Sequence, residues 1–304
     1  MNKQYKADLA LLVVTLSWGI SFILTKNSLD ALATFNFLSI RFFIAGIICI
    51  VVFHKKILKI DKTTIKYGVL IGFTMFLGYA FQTAGLNYTT ASKSAFISSL
   101  CVIFVPIFSA LLLKKPPKLM AIAGVIFSTM GLALLTLDGN LSLNIGDFYS
   151  FLCAICFALQ ILAIAKYSAK ADPINLAILQ ITVVCILSML ISFLFESPTI
   201  PTSKNVWIDI VSLSFFCTSG AFIIQNIAQK YTSTTHAALI FTGEPVFAAI
   251  FGYFIAGEIL STRGFVGGIL IVSSILLVEL KLKSPFLKRP IYPKKRQKIA
   301  TEKK

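Results

Sequence analysis

The residue best suited to chemistry in this sequence is Glu244, which lies near the middle of the apolar stretch from residue 235 to 256. A helix of that length spans about 30 Å, the thickness of the hydrocarbon core of a bilayer. A carboxylate at that depth is costly unless it faces protein, water or a binding partner. Pro245 follows directly, and its missing N–H leaves a carbonyl of the preceding turn without its usual hydrogen bond. We therefore expect this helix to line a polar cavity with Glu244 and to pack against another helix through its small residues.

Arg41 is a second ionisable residue within an apolar stretch. A permanent cation there should face the interior of a helix bundle, although a side chain that snorkels to the surface or bonds a backbone carbonyl fits the sequence equally well. Arg41 could attract a carboxylate or phosphate, whereas Glu244 could attract an amine or carry a proton. The alternative role for Glu244 is that of a protonated carboxyl that bonds a neighbouring helix and only stabilises the fold.

The candidate substrate contacts share one property, a polar or aromatic side chain within an apolar stretch, where an unpartnered polar group is costly. They are Trp18, Arg41, Tyr79, Gln82, Gln160, Gln180, Gln225, Asn226 and Glu244. We expect these side chains to contact the substrate in one cavity inside the bundle.

The cysteines do not suggest a metal site, a cofactor or a disulfide. All six lie in apolar stretches, where cysteine behaves as a small hydrophobic residue. Cys153 and Cys156 form a C-x-x-C, but on a membrane helix without a second ligand pair this is a weak metal or redox signal. We therefore expect no metal and no cofactor.

The composition determines which elements position the candidate residues. The chain has 304 residues, of which 57% are hydrophobic and 13% charged, and this is too apolar for a soluble domain. Ten apolar segments, each about as long as a membrane-spanning α-helix, can be marked. They cover residues 7–26, 34–53, 67–86, 92–113, 119–137, 147–166, 174–195, 207–229, 235–256 and 264–282. The predicted fold class is therefore an all-α polytopic membrane protein with ten transmembrane helices.

The distribution of positive charge predicts the orientation in the membrane. With the amino terminus in the cytoplasm, 23 of the 28 Lys and Arg residues lie on the cytoplasmic side and four on the opposite side. The positive-inside rule then places both termini in the cytoplasm. The basic tail, residues 283–304, is expected to lie against anionic lipid headgroups. The net charge of +16 is explained in this way and does not imply nucleic-acid binding.

The two halves of the chain, residues 7–137 and 146–281, align with each other at an offset of 139 near their starts and 143 further on. The alignment pairs Asp8 with Asp147, Trp18 with Phe157, Arg41 with Gln180, Gln82 with Gln225 and Cys101 with Glu244. Each half holds five helices, and because five is odd the second half enters the membrane from the opposite side. Inverted repeats are a common plan of secondary transporters, with the substrate site near the midplane between the repeats. The pairing of a cysteine with Glu244 predicts a cavity that is charged on one side only.

Several motifs occur together at the positions expected of one family. They are Trp18-Gly19 in the first segment, Arg41 in the second, Asp172-Pro173 before Gln180 in the seventh, and Glu244-Pro245 with Gly257-Glu258 in and after the ninth. As a set they resemble the EamA domain of the drug/metabolite transporter superfamily, present here as two tandem copies over nearly the whole chain. The resemblance implies a ten-helix carrier, commonly an exporter of amino acids or other small metabolites. It also implies a central cavity lined mainly by helices one, three, four, six, eight and nine. The first copy departs from the pattern at residues 114–117, where the family often has Gly-Glu.

We expect a plasma-membrane secondary carrier that moves a small polar metabolite by alternating access. A membrane receptor or scaffold that binds a small ligand without moving it is the alternative. An enzyme is not expected, because the sequence lacks an H-E-x-x-H motif and paired aspartates at membrane depth. The glycines of segments five and ten fit either peripheral helices or the face of a homodimer.

Overall fold

The computed structural model describes residues 3–136, 144–256 and 261–281. These residues form α-helices joined by short connections, with one π-helical section and no strand. Eight of the helical stretches are long and apolar enough to cross a membrane, and two shorter apolar helices accompany them. The predicted class, an all-α polytopic membrane protein, is confirmed. The predictions for Gly257-Glu258 and for the basic tail lie outside the described residues.

We number the ten helical segments of the described chain in order, and three of them are interrupted. They are α1 (Lys3–Leu29), α2 (Thr34–Ile57), α3 (Lys62–Leu86), α4 (Ala91–Ser99 and Cys101–Leu113), α5 (Leu119–Thr136), α6 (Ile145–Tyr167), α7 (Pro173–Phe195), α8 (Lys204–Ser212, Leu213–Gly220 and Ala221–Ala228), α9 (Thr234–Phe241 and Glu244–Ala256) and α10 (Thr262–Lys281). We call the end of the bundle where α1 begins and α10 ends the terminal face, and the opposite end the far face.

Local sequence explains where α7 begins. The Asp172 carboxylate accepts hydrogen bonds from the backbone N–H groups of Ile174 and Asn175, and Pro173 occupies the first turn, where its missing N–H costs nothing. Burial raises the pKa of Asp172, but the hydrogen bonds from Lys56 and from these N–H groups outweigh burial and hold it below its ordinary value.

The repeat partners α2 and α7 run antiparallel and are joined at both ends. At the terminal face the Lys56 ammonium lies 2.7 Å from the Asp172 carboxylate. At the far face the Glu196 carboxylate accepts hydrogen bonds from the backbone N–H groups of Phe35, at 2.9 Å, and Asn36, at 2.7 Å. These N–H groups belong to the first turn of α2, where a negative charge is favourable. The two halves are therefore inverted with respect to each other.

A second pair of repeat partners, α5 and α10, also packs within one chain. A Cβ on Gly131 would lie 2.7 Å from the Gly267 carbonyl oxygen, and a Cβ on Gly267 would lie 2.5 Å from the Gly131 carbonyl oxygen. Only glycine permits this approach of two backbones. These two glycines therefore serve packing inside the chain and not a homodimer face, whereas a Cβ on Gly268 would meet no atom within 4 Å.

The breaks in α4 and α9 lie at equivalent positions of the two repeats. The first falls at Leu100 and the second at Thr242 and Gly243, and the offset of 143 aligns Leu100 with Gly243. In α9 the N–H groups of Thr242 and Gly243 bond carbonyls three residues back, and the helix resumes at Glu244. Pro245 explains the break, because it cannot donate to the Phe241 carbonyl. The stretch predicted as one helix is therefore two half-helices.

Candidate substrate cavity

A cavity lies among α1, α3, α4, α6, α8 and α9, the six helices that the family resemblance implies. Its lining combines aromatic rings with amides, hydroxyls, one thiol and one carboxyl. The lining residues are Trp18, Ser21, Tyr79, Gln82, Ser98, Ser99, Cys101, Phe157, Gln160, Ile161, Phe222, Gln225, Phe241 and Glu244.

The lining is made almost entirely of pairs that the repeat alignment relates. The offset of 139 pairs Trp18 with Phe157 and Ser21 with Gln160, and the offset of 143 pairs Tyr79 with Phe222, Gln82 with Gln225, Ser98 with Phe241 and Cys101 with Glu244. Only Ser99 and Ile161 line the cavity without their repeat partners. The cavity therefore lies on the approximate two-fold axis that relates the inverted halves, as expected for a site between repeats.

Glu244 and its repeat partner Cys101 occupy matching places with different chemistry. Each is the first residue of the second half-helix of its segment, Glu244 in α9 and Cys101 in α4. The Glu244 side chain is partly exposed to the cavity, and among the residues that the structure describes it makes no hydrogen bond and no salt bridge. The cavity thus has a carboxyl group on one side and a thiol on the other.

Aromatic rings form one wall of the cavity. The Trp18 indole N–H donates to the Cys217 carbonyl oxygen at 3.0 Å, which fixes the ring between Phe222, with centroids 5.5 Å apart, and Phe241, with centroids 5.2 Å apart. Tyr79 packs edge-on against Phe222 at 6.0 Å. These spacings are typical of aromatic pairs, and the wall is therefore well packed.

Arg41 faces the bundle interior but does not line the cavity. Its side chain is 2% exposed, and its Nε–H donates to the Thr218 hydroxyl at 2.9 Å. The guanidinium carbon lies 5.1 Å from the centroid of the Tyr79 ring and 5.6 Å from that of Phe42, within the range of cation–π attraction. Arg41 therefore lies behind the aromatic wall and does not snorkel to the surface.

The section of α8 that holds Arg41 is π-helical, from Leu213 to Gly220. The Thr218 and Ser219 hydroxyls each donate to a carbonyl five residues back, at 2.9 and 2.7 Å. Single turns of π-helix are frequent at functional sites because they shift side chains and expose carbonyls. Here the wider turn presents the Cys217 carbonyl to Trp18 and the Thr218 hydroxyl to Arg41.

Gln180 and Asn226, two further predicted contacts, are buried beside the cavity and not in it. The Gln160 amide N–H donates to the Gln180 carbonyl oxygen at 3.2 Å, and the Gln180 amide donates to the Asn226 carbonyl oxygen at 2.9 Å. This chain of amides links α6, α7 and α8. Gln180 and Asn226 therefore position the cavity residue Gln160.

Of the nine predicted contacts, the six that line the cavity are Trp18, Tyr79, Gln82, Gln160, Gln225 and Glu244. The lining residues absent from the prediction are Ser21, Ser98, Ser99, Cys101, Phe157, Ile161, Phe222 and Phe241. The repeat carries a signal that finds several of them, because four are repeat partners of predicted contacts.

At the far face, α4 and α6 are joined by a largely buried ion pair. The Lys93 ammonium lies 2.6 Å from the Asp147 carboxylate, which also accepts a hydrogen bond from the Thr89 hydroxyl at 2.9 Å. Asp147 forms a capping box with Asn144, so this carboxylate also begins α6.

At the terminal face, α9 and α1 are joined by the repeat partners of that ion pair. His236 aligns with Lys93 at the offset of 143, and Asp8 aligns with Asp147 at the offset of 139. The His236 Nδ1 lies 3.9 Å from the Asp8 carboxylate, and both residues are buried. We call the two contacts the far-face junction and the terminal-face junction.

Comparisons with known proteins agree on one family. A sequence profile of the EamA-like transporter family matches residues 5–137 and again residues 144–280. A protein of Archaeoglobus fulgidus named "Uncharacterized transporter" is 36% identical over 280 residues, covering 92% of this chain and 88% of the relative. The Bacillus subtilis protein named "Uncharacterized transporter YvbV" is 26% identical, covering 93% of this chain and 95% of the relative. A crystal structure of another protein has a TM-score of 0.78 at 19% identity and covers 92% of this chain, which shows the shared fold.

Proposed function

This chain belongs to the EamA-like transporter family, and on that premise we propose that it is a secondary carrier that moves a small polar metabolite across the plasma membrane by alternating access. One observation carries the proposal: the cavity lies on the axis between two inverted repeats and is lined by equivalent residues of both. A site on this axis can be reached from either face when the halves rock against each other.

The broken helices and the two junctions support the alternating-access part of the proposal. The half-helices of α4 and α9 end and begin beside the cavity, where loose backbone is tolerated only if protein or water satisfies it. The far-face junction joins α4 to α6, and the terminal-face junction joins α9 to α1. Opening one junction while the other stays closed would expose the cavity to one side at a time.

The proposal includes an orientation and a direction. Both termini lie in the cytoplasm by the positive-inside rule, and the basic tail then meets anionic headgroups of the inner leaflet. Export of amino acids or related compounds is the direction and substrate range that the family resemblance suggests.

The test is flux in proteoliposomes made from purified protein, with a panel of radiolabelled amino acids and amines. We expect Glu244→Gln to lower the flux of a transported compound by roughly tenfold or more, equivalent to about 1.4 kcal/mol. Gly46→Ala on α2 is the control and should retain flux, because Gly46 lies outside the cavity lining and an added Cβ there meets no atom within 4 Å. Equal flux by Glu244→Gln and the parent protein would favour a role for Glu244 in the fold alone. Saturable binding without accumulation of any compound would favour the receptor alternative.

A further inference from the structure

We infer that the substrate is an organic cation, a protonated amine with an apolar body and no free carboxylate. This inference rests on the proposed function and narrows it: of the amino acids and related compounds that the family resemblance suggests, it keeps the amines and excludes the zwitterionic amino acids. The charges around the cavity, the position of Arg41 and the aromatic lining carry the argument.

The charge of the cavity lining favours a cation over an anion. Glu244 is the one carboxyl among the lining residues that the structure describes, and no Lys, Arg or His is among them. The remaining lining groups are amides, hydroxyls, a thiol, a phenol and apolar side chains. A carboxylate bound here would therefore be desolvated beside Glu244 without a cationic partner, which is costly. An ammonium would instead form a charge-assisted hydrogen bond with Glu244.

Arg41 is the cation that could have received a substrate carboxylate, but it lies behind the cavity lining. Its guanidinium is buried against the Tyr79 ring, which itself lines the cavity, and Arg41 is not among the lining residues. Its Nε–H donates to Thr218, and its Nη2 is buried without a hydrogen-bond partner among the described residues. A carboxylate in the cavity would meet the aromatic ring before it met the guanidinium. This placement separates the two ionisable groups and leaves Glu244 as the charged group that a ligand contacts.

The aromatic part of the lining also suits an amine with an apolar body. Five of the fourteen lining residues are aromatic, namely Trp18, Tyr79, Phe157, Phe222 and Phe241. Ring faces attract ammonium groups and also cover apolar bodies. The Gln82, Gln160 and Gln225 amides can bond further N–H or hydroxyl groups of the ligand. An amine with an apolar or aromatic body satisfies the carboxyl and the rings together.

Binding can be measured through the fluorescence of Trp18. The chain has two tryptophans, and Trp207 lies at the start of α8 at the far face, where its indole N–H donates to the Pro201 carbonyl. The full-length Trp207→Phe protein therefore carries one tryptophan, in the cavity wall. The probes are matched triplets that share one body: phenethylamine, phenylalanine and N-acetylphenethylamine, and likewise isoamylamine, leucine and N-acetylisoamylamine.

In one or both triplets, we expect the dissociation constant of the amine to be lower than those of the matching amino acid and N-acetyl compound by about tenfold or more. Glu244→Gln should remove this preference and Glu244→Asp should retain it. Gly46→Ala, on α2 outside the cavity, should leave it unchanged, because an added Cβ there meets no atom within 4 Å. Glu244→Asp keeps the test informative if Glu244→Gln does not fold, as judged by gel filtration.

Tighter binding of an amino acid than of its amine in the triplets would overturn the inference and leave the carrier proposal intact. Failure of every amine to bind would also overturn it. The flux assay tests the carrier proposal independently of binding. If amines bind, Glu244→Gln abolishes that binding and no amine accumulates in proteoliposomes, the cation site is upheld and the carrier proposal is contradicted.

Discussion

The far-face junction and the terminal-face junction occupy equivalent places in the two repeats, yet their chemistry differs. Lys93 and Asp147 form an ion pair at 2.6 Å, whereas His236 and Asp8 are 3.9 Å apart. The first contact pairs an ammonium with a carboxylate, and the second pairs an imidazole ring with a carboxylate at a longer distance. The two junctions therefore join neighbouring helices at equivalent positions, but the contact is shorter at the far face than at the terminal face.

The same contrast appears at the cavity, where Cys101 and Glu244 begin equivalent half-helices. Backbone breaks and lining positions are duplicated, but the carboxyl is present once. The duplicated geometry places the cavity between the two halves, and the difference between Cys101 and Glu244 gives the described lining its one carboxyl.

The largest effect on transport should come from moving the carboxyl to the equivalent position of the other repeat. Glu244→Cys alone should lower flux by roughly tenfold or more. In the double variant Cys101→Glu with Glu244→Cys, we expect part of that flux to return, because both positions line the same axial cavity. Proteoliposome flux measures the outcome, with Cys101→Glu alone as the control. A double variant no better than Glu244→Cys would show that the two halves are not interchangeable at the site.

Breaking the two junctions should affect stability unequally. Lys93→Met leaves the buried Asp147 carboxylate without its ammonium partner, and we expect a loss of about 3 kcal/mol. His236→Leu breaks a longer contact and should cost about 1 kcal/mol at pH 7.5. Denaturant unfolding in detergent micelles compares the two variants. An equal or larger effect of His236→Leu would contradict the difference in strength inferred from the distances.

A loss of stability no larger than that of Lys93→Met is expected where α1 meets α9 inside the bundle. A Cβ on Gly19 would lie 2.6 Å from the Phe247 Cβ and 3.0 Å from the Ala248 backbone nitrogen, so Gly19→Val should cost about 1–3 kcal/mol through overpacking. Gly46 is the matched control on α2, because a Cβ there would meet no atom within 4 Å. Thermal unfolding measures both variants. Equal melting temperatures of Gly19→Val and the parent protein would contradict the close approach of α1 and α9.

The smallest effect is expected at the exposed end of the α2–α7 pair. Lys56 and Asp172 are 46% and 37% exposed, so Lys56→Met should cost less than about 1 kcal/mol at pH 7. The pKa of Asp172 is lowered in the folded protein, so its contribution is present above the unfolded value, about 3.9, and is lost as pH falls through the folded value. The difference between variant and parent in denaturant unfolding should therefore shrink below about pH 4. A difference that grows on acidification would contradict this sign.

Much of the architecture could be predicted from single residues and their spacing. The second predicted segment, residues 34–53, corresponds to Thr34–Ile57, and the seventh, residues 174–195, corresponds to Pro173–Phe195. The bilayer explains this success, because its thickness fixes the length of an apolar helix and Asp172-Pro173 marks where one begins. The coincidence of Glu244 with Pro245 likewise predicted a polar cavity beside α9, because neither residue is tolerated against lipid.

The details that the sequence left undecided depend on contacts between residues far apart in the chain. Hydropathy shows that Arg41 lies in a membrane helix, but only the packing of Tyr79 against its guanidinium places it outside the cavity. The π-helical turn of α8 depends on hydroxyls that bond carbonyls five residues back and on contacts with α1 and α2.

Local composition and the thickness of a bilayer were thus enough to predict the all-helical class, the approximate ends of several helices and the repeat. Which side chains share the cavity and which lie behind it became clear only from the packing of the helices against one another. The physical reason is that the rotation of each helix about its axis is set by its neighbours, and hydropathy along a single segment does not record it.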